Sequence, residues 1–257
     1  MRFLVAALLA AAIAGATAST AAPTHGWLPH IAKARGYAKT RHAGSISFQV
    51  KTARGAWGWH ARRTQPSASV LKAMLLVAYL RKSNVRHRPL RASEKSVLTP
   101  MIRRSSNSAA NTALGWVGTG GLRALARKAH MHHFTPVTPV WGNSRINAED
   151  QARYFYDIDH LMPKRHRRYG MYLLGHVVKS QRWGIGRLHL PAGWKLYFKG
   201  GWGSGTGHID NQVALLVHPK TKTRVSVAVL TLDDGTHAYG KETLRGIFKR
   251  LLRGLKP

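Results

Sequence analysis

The sequence predicts an α+β domain with one antiparallel sheet built from strands at both ends of the chain. Residues 45–60 alternate apolar and polar side chains on either side of a short turn, which is typical of a β-hairpin. Residues 194–232 contain three more strand-like runs, and the residues between these two regions carry helical spacing. The hairpin and the C-terminal strands can join in a single sheet flanked by helices, and the middle helices then form a second, all-helical lobe.

The first residues are typical of a secretory signal peptide. Arg2 precedes a continuously apolar run over residues 3–14, and Ala16-Thr17-Ala18 offers a small-x-small cleavage site. We therefore expect removal of residues 1–18, with a second cleavage site after Ala22, and a secreted protein that associates with the cell envelope. An uncleaved N-terminal anchor is the alternative, because the apolar run alone does not exclude it. No later segment approaches ~20 consecutive apolar residues.

The remaining elements are predicted in chain order. An N-terminal segment, residues 19–44, precedes a domain over residues 45–257 that opens with the hairpin. A long apolar run indicates a buried helix beginning near Ser69. Helical spacing continues over 94–115, 121–130 and 147–182, the last as one or two helices. The strands of the C-terminal third are predicted at 194–198, 212–218 and 224–232, and a basic amphipathic helix closes the chain at 241–255.

The 257-residue chain is strongly basic. Its 41 Lys and Arg against 9 Asp and Glu give a formal charge of +32. This charge favours anionic partners, and export makes anionic cell-wall polymers better candidates than nucleic acid. The absence of cysteine excludes disulfides, thiolate metal sites and cysteine nucleophiles. The run His130-Met131-His132-His133 has no neighbouring carboxylate, so a polar turn is a better interpretation than a metal site.

The first of three motifs is Ser69-Val70-Leu71-Lys72, at the start of the long apolar helix. Residues three positions apart share one helical face, so the lysine amine can reach the serine hydroxyl. A lysine buried among apolar residues loses its proton more easily and can act as a base toward that hydroxyl. Taken alone, a capping serine followed by a solvated lysine explains the same pattern.

The second motif, Ser105-Ser106-Asn107, falls between helices. The Ser105 hydroxyl could relay a proton, and the Asn107 amide could donate to a substrate carbonyl. A polar turn that caps the next helix is the simpler interpretation of this motif in isolation.

The third motif, Lys199-Gly200-Gly201, ends the strand predicted at 194–198. Glycines at a strand edge allow a substrate backbone to lie close, and the lysine supplies positive charge for a carboxylate. In isolation, a flexible glycine turn that continues to residue 207 explains the motif equally well.

In this order the three motifs resemble those of the serine β-lactamase and penicillin-binding protein superfamily, with the closest resemblance to class A β-lactamases. The resemblance spans roughly residues 45–255. Ser106-Asn107-Ser108-Ala109-Ala110-Asn111 is similar to that family's Asp-Asn-Thr-Ala-Ala-Asn run, and the hairpin ahead of Ser69 matches as well. The resemblance implies the family's α+β fold and a serine hydrolase that uses no metal and no cofactor.

The resemblance also implies catalytic roles. Ser69 would be the acylated nucleophile, Lys72 would be its general base or proton shuttle, and Ser105 would pass the proton to the leaving nitrogen. The substrate would be a β-lactam or a peptidoglycan stem peptide.

Substrate-binding roles fall on five further residues. Asn107 would hold the substrate amide, and Lys199 would pair with the substrate carboxylate. Gly200 and Gly201 would form the strand edge beside the substrate. The backbone N–H of Trp202 would complete an oxyanion hole with that of the nucleophile.

Two departures from the family pattern fall inside the motifs. Ser106 replaces the usual aspartate at a position that need not do chemistry. Gly200 replaces the usual threonine or serine, so one hydroxyl contact to the substrate carboxylate is missing. Ser204 or Thr206 would be the nearest replacements.

A third departure concerns the omega loop, where class A enzymes carry the glutamate that activates the deacylating water. The corresponding segment, Leu122 to Ala148, contains no Asp or Glu. The nearest carboxylates, Glu149 and Asp150, stand where the next helix is predicted to begin, and their simpler interpretation is N-terminal helix charge.

The sequence therefore predicts a secreted, monomeric serine hydrolase that forms an acyl-enzyme and releases it slowly. One alternative is a true β-lactamase whose water is activated by Lys72, Glu149 or another group. The other is a wall-binding module that retains the pocket without turnover.

Overall fold

The computed structural model describes residues 26–203 and 208–257. The predicted signal peptide, with both of its cleavage sites, and the candidate hydroxyls of Ser204 and Thr206 lie outside these residues. Within the described residues the helices are α1 (Ile31–Lys39), α2 (Leu71–Leu80), α3 (Ala92–Arg103), α4 (Asn107–Lys128), α5 (Ala148–Tyr156), α6 (Ile158–Leu161), α7 (Lys164–Gly175) and α8 (His237–Leu251). The strands are β1 (Ser45–Thr52), β2 (Gly55–Trp59), β3 (Gln65–Pro66), β4 (Arg145–Ile146), β5 (Lys195–Gly203), β6 (Ile209–His218) and β7 (Thr223–Leu232).

The main sheet has five antiparallel strands in the order β2-β1-β7-β6-β5. The N-terminal hairpin therefore joins the C-terminal strands through β1 and β7, where Phe48 pairs with Val229. This confirms the predicted α+β fold and the joining of the hairpin and the C-terminal strands in one sheet. A second, two-stranded sheet joins β3 to β4 and escaped prediction, because strands of two residues carry no periodicity.

Both faces of the main sheet are buried, and each belongs to a different hydrophobic core. Along β6, Val213 and Leu215 face a core shared with helices α2 to α5 and α7, whereas Ala214 and Leu216 face a core shared with α1 and α8. Alternation of side chains along a strand produces this division. The helical lobe and the terminal helices thus cover opposite faces of the sheet.

Several elements differ in extent from the predictions. β5 continues through the third motif to Gly203, so Lys199, Gly200, Gly201 and Trp202 lie within a strand rather than beyond its end. The helical region at 94–115 is interrupted at 104–106, and residues 147–182 form three α-helices followed by one 3₁₀ turn. α4 is itself broken at Gly118, whose φ of 63° is not helical.

Among residues 26–203 and 208–257, no helix combines the length and apolar character needed to cross a bilayer.

Candidate active site

The serine of the first motif lies at a sharp turn ahead of α2. Ala68–Val70 form a 3₁₀ turn, and Ala68 has a φ of 43°, in the left-handed region that alanine rarely adopts. Strain of this kind persists where the surrounding structure enforces it. All ten residues of α2 are buried, so a rigid helix fixes the half-buried Ser69.

Lys72 is fully buried one helical turn after Ser69. Its Nζ donates to Asn107 Oδ1 at 2.7 Å, to Ser105 Oγ at 3.2 Å and to the Ser105 carbonyl oxygen. Desolvation by burial lowers the pKa of Lys72 to about 7. A large fraction of Lys72 is therefore unprotonated near neutral pH, as a general base requires.

Lys199 approaches the same hydroxyl from β5. Its Nζ donates to Ser105 Oγ at 3.0 Å and to the Gly200 carbonyl oxygen. Burial, and then the neighbouring charge of Lys72, holds the pKa of Lys199 well below its ordinary value. Because Ser105 Oγ accepts from both amines, its own O–H remains free to donate.

A cleft of about 370 Å³ opens beside these groups. Ser69, Asn107 and Trp202 line it, and we call it the serine cleft. Its remaining lining residues are Ala68, Asn111, Pro139, Val140, Trp141, Gly142 and Gly203. The cleft thus brings together residues of the first two motifs and Trp202, which directly follows the third motif, although Ser69 and Trp202 are 133 positions apart in the sequence.

The edge of β5 lies directly against the turn that carries Ser69. A Cβ added to Gly201 would stand 2.5 Å from the Ser69 nitrogen and 2.6 Å from the Val70 nitrogen, closer than real Cβ atoms approach. Only glycine permits this contact, and the contact holds the turn and the strand edge side by side.

On the prediction that Ser69 is acylated and that its N–H lines an oxyanion hole, substitution of Gly201 by alanine should slow acylation by about 100-fold, the usual effect of losing one oxyanion donor. The added methyl group displaces backbone rather than a flexible side chain. The measurement is the rate of labelling by a fluorescent penicillin. Gly115→Ala is the matched control, since a Cβ at that exposed helical position meets nothing within 4 Å. An unchanged rate in folded Gly201→Ala protein would contradict the assigned role.

Solved structures of β-lactamases share this architecture. A β-lactamase from Sphaerobacter thermophilus matches with a TM-score of 0.72 at 18% identity, covering 88% of this chain and 98% of the other. A β-lactamase from Xanthomonas campestris pv. campestris matches with a TM-score of 0.72 at 14% identity, covering 87% and 96%. A class A β-lactamase from Bacteroides cellulosilyticus matches with a TM-score of 0.71 at 14% identity, covering 87% and 97%. The chain has the class A β-lactamase fold. No protein-family model and no curated protein matches the sequence.

The segment 122–148, which contains no carboxylate, presents an aromatic side chain to the serine cleft. Trp141 lines the serine cleft, with its ring centroid 4.9 Å from Lys72 Nζ, and its Nε1 donates to Asn111 Oδ1 at 2.7 Å. An indole contributes apolar surface and a cation–π contact, but it cannot accept a proton from water.

All nine carboxylates of the sequence lie within the described residues, and none of them lines the serine cleft. Glu149 pairs with Arg62 at 2.8 Å and with Arg153 at 3.3 Å. Asp150 is buried and accepts from two backbone N–H groups at 132–133, so the histidine run forms a turn on this carboxylate. Both acids lie in the first turn of α5, where negative charge interacts favourably with the helix dipole.

The two substitutions within the motifs have structural explanations. The Ser106 hydroxyl caps α4 by accepting from the Ala109 N–H at 3.3 Å, which an aspartate would also do. A Cβ on Gly200 would meet the indole of Trp183 at 2.6 Å. Trp183 is buried, so its ring fills the space that a threonine or serine side chain would need.

A polar group adjoins the mouth of the serine cleft. The half-exposed Trp202 stacks on His237, with 4.4 Å between ring centroids, and His237 Nδ1 lies 2.6 Å from Asp210 Oδ1. Desolvation raises the pKa of Asp210 to about 6, although hydrogen bonding and charge attraction from His237 act in the opposite direction.

Sequence reasoning missed Trp141, Trp183 and His237 as members of this region. None of them stands in a motif, and each reaches the site through tertiary packing. Asn111 could have been predicted from the sequence, because it follows Asn107 by four residues and therefore lies on the same helical face.

Proposed function

We propose that the protein is an active-site serine hydrolase that forms an acyl-enzyme through Ser69 with β-lactams or D-Ala-D-Ala-type peptides. The observation that carries this proposal is the meeting of two buried amines with lowered pKa values, those of Lys72 and Lys199, at the Ser105 hydroxyl. Amines with shifted pKa values that cluster at a cleft are typical of catalytic sites. The likeness to solved β-lactamases supports the reaction class.

Acylation begins with proton transfer from Ser69 Oγ to the neutral amine of Lys72. Oγ then attacks the amide carbonyl carbon, and the carbonyl electron pair moves to oxygen, where the N–H groups of Ser69 and Trp202 stabilise it. When the tetrahedral intermediate collapses, the C–N bond breaks and Ser105 donates its proton to the leaving nitrogen. The Lys72 ammonium returns a proton to Ser105, so the amine is neutral again.

Substrate binding uses the other predicted residues. The Asn107 carbonyl oxygen accepts from Lys72, which leaves its amide N–H₂ group to donate to a substrate carbonyl. A substrate carboxylate near Lys199 would raise the pKa of that amine by charge attraction. Lys199 would then become the cation that holds the substrate.

Release of the acyl group should be slow, because the described residues provide no carboxylate in the serine cleft to activate water. Glu149, one alternative base, is held by Arg62 and Arg153 outside this cleft. This behaviour favours a penicillin-binding or DD-peptidase type of enzyme over an efficient β-lactamase. The predicted signal peptide places such an enzyme at the cell envelope, where stem peptides occur.

Intact-mass spectrometry after addition of benzylpenicillin tests the proposal. We expect one adduct per chain, located on Ser69 by peptide mapping and persisting long after free penicillin is removed. Rapid turnover of a chromogenic cephalosporin with no detectable adduct would contradict slow release and favour the β-lactamase alternative. Absence of both adduct and turnover would favour a wall-binding module that lacks activity.

A further inference from the structure

A second and larger concavity lies away from the serine cleft. It has a volume of about 1360 Å³, runs between α1, α8 and the segment 187–191, and shares no lining residue with the serine cleft. We call it the basic groove. Its charged lining side chains are Lys33, Arg187, Arg245, Lys249, Arg250, Arg253 and Glu242.

The charge of the basic groove is strongly unbalanced. Six cationic side chains face one carboxylate, a formal excess of five positive charges. Glu242 contacts Arg245 at 3.8 Å, and within the described residues the other five cations form no ion pair. Unpaired cations that converge on a concave surface attract anions more strongly than the same charges spread over a convex one.

The groove is also partly preorganised. The Arg250 guanidinium stacks over the Tyr37 ring, 3.8 Å from its centroid, and donates to the Gly246 carbonyl oxygen at 3.0 Å. Tyr37 packs against Gly246, where a Cβ would meet the ring at 2.3 Å, so α1 and α8 approach closely. One arginine is therefore already ordered, which reduces the entropy lost when a ligand binds.

We propose that the basic groove binds a chain-like polyanion that carries phosphate groups. Four of the six cations are arginines, whose planar fork matches phosphate oxygens in pairs. The groove's volume of about 1360 Å³, with cations contributed by α1, α8 and residue 187, suits several consecutive charges rather than a single ion. A membrane surface is a poorer occupant, because the large exposed apolar side chains, Leu28, Val140, Tyr172 and Trp202, all lie outside the groove lining. The proposal is independent of the reaction at Ser69.

Two variants with equal charge separate the groove from the general basicity of the protein. The groove variant combines Lys33→Gln, Arg245→Gln and Lys249→Gln. The control variant combines Lys164→Gln, Arg165→Gln and Arg168→Gln on α7. All six side chains are exposed, and each variant loses three positive charges.

The measurement is the affinity for medium-chain inorganic polyphosphate over a series of salt concentrations. We expect the groove variant to lose about ten-fold or more in affinity, and the slope of log K against log salt to fall by roughly two to three units. The affinity of the control variant should stay within about three-fold of that of the wild type, because the charges it lacks lie far from the groove and are screened by salt. Equal losses in both variants would overturn the proposal.

A further variant and two further probes complete the test. Gly36→Glu adds a negative charge to the groove without removing any contact, because a Cβ there meets nothing within 4 Å. It should weaken polyphosphate binding as well, whereas unchanged binding would contradict the assigned location. Tighter binding to polyglutamate than to polyphosphate would overturn the choice of phosphate. Binding to phosphatidylglycerol vesicles that depends on the groove and exceeds binding to polyphosphate would overturn the choice of a polymer.

Discussion

The Ser69→Ala variant should form no covalent adduct with benzylpenicillin, whatever the concentration or time of exposure. Removal of the hydroxyl removes the attacking atom, and neighbouring serines cannot replace it. Ser67 Oγ donates to the Ala68 and Gly142 carbonyl oxygens. Ser105 Oγ accepts hydrogen bonds from two lysines. Intact-mass spectrometry detects the loss directly, and thermal unfolding establishes that the variant is folded.

Ser106→Ala is the matched control for this experiment. Ser106 lies in the second motif, but its hydroxyl caps α4 instead of facing the chemistry. Its removal should lower the free energy of unfolding by about 1 kcal/mol and leave the yield of adduct unchanged. An adduct on Ser69→Ala, or a loss of labelling in Ser106→Ala, would contradict the assignment of the nucleophile.

The fold was predictable because its strongest signals are local. The alternation over 45–60 specifies a hairpin, and the apolar run after Ser69 specifies a buried helix whichever partner covers it. Ser69 and Lys72 are also only three residues apart, so one helical turn is enough to bring them to the same face. These features need no knowledge of contacts that are distant in the sequence.

The extent of β5 was not predictable in the same way. Glycines at 200 and 201 weaken any intrinsic tendency toward a strand, so the pattern indicates that the strand ends before them. Pairing with β6 overrides this tendency, because Gly200 lies opposite Gln212 and Gly201 lies opposite Asn211. Backbone hydrogen bonds to a neighbouring strand do not depend on side chains, and sequence periodicity does not report them.

Long-range packing also determines the properties of the Lys72 and Lys199 amines. The scarcity of acidic residues is visible in the sequence, but the consequence for Lys72 depends on where each carboxylate lies. Glu149 and Asp150 form ion pairs with arginines, and Asp150 also accepts hydrogen bonds from backbone N–H groups near α5. Lys72 is therefore buried without a counterion, and desolvation alone brings its pKa to about 7. The same composition that makes the surface basic leaves Lys72, the proposed general base, with a pKa of about 7.

Replacement of Lys72 by methionine should lower the acylation rate by about 10³-fold, within the range for loss of a general base. In the wild type the rate should rise about ten-fold per pH unit below pH 7 and level off above it, because the base is the unprotonated amine with a pKa of about 7. The variant should lack this dependence. Stopped-flow labelling by a fluorescent penicillin between pH 5 and about 9 measures both properties. A wild-type rate that falls as the pH rises would contradict the role of Lys72 as base.

The same variant should be more stable than the wild type near neutral pH, and this difference should shrink as the pH rises. Below about pH 7 Lys72 is protonated in both states, so the folded state bears the full desolvation penalty. Between about 7 and the ordinary value of 10.5, the unfolded chain holds a proton that the folded chain has lost, and wild-type stability increases by about 1.4 kcal/mol per pH unit. Urea unfolding at several pH values measures the difference, and Lys95→Met, at an exposed position, should show no such trend. A lysine that served only as a structural cation would give the opposite result, because its loss would lower activity and stability together.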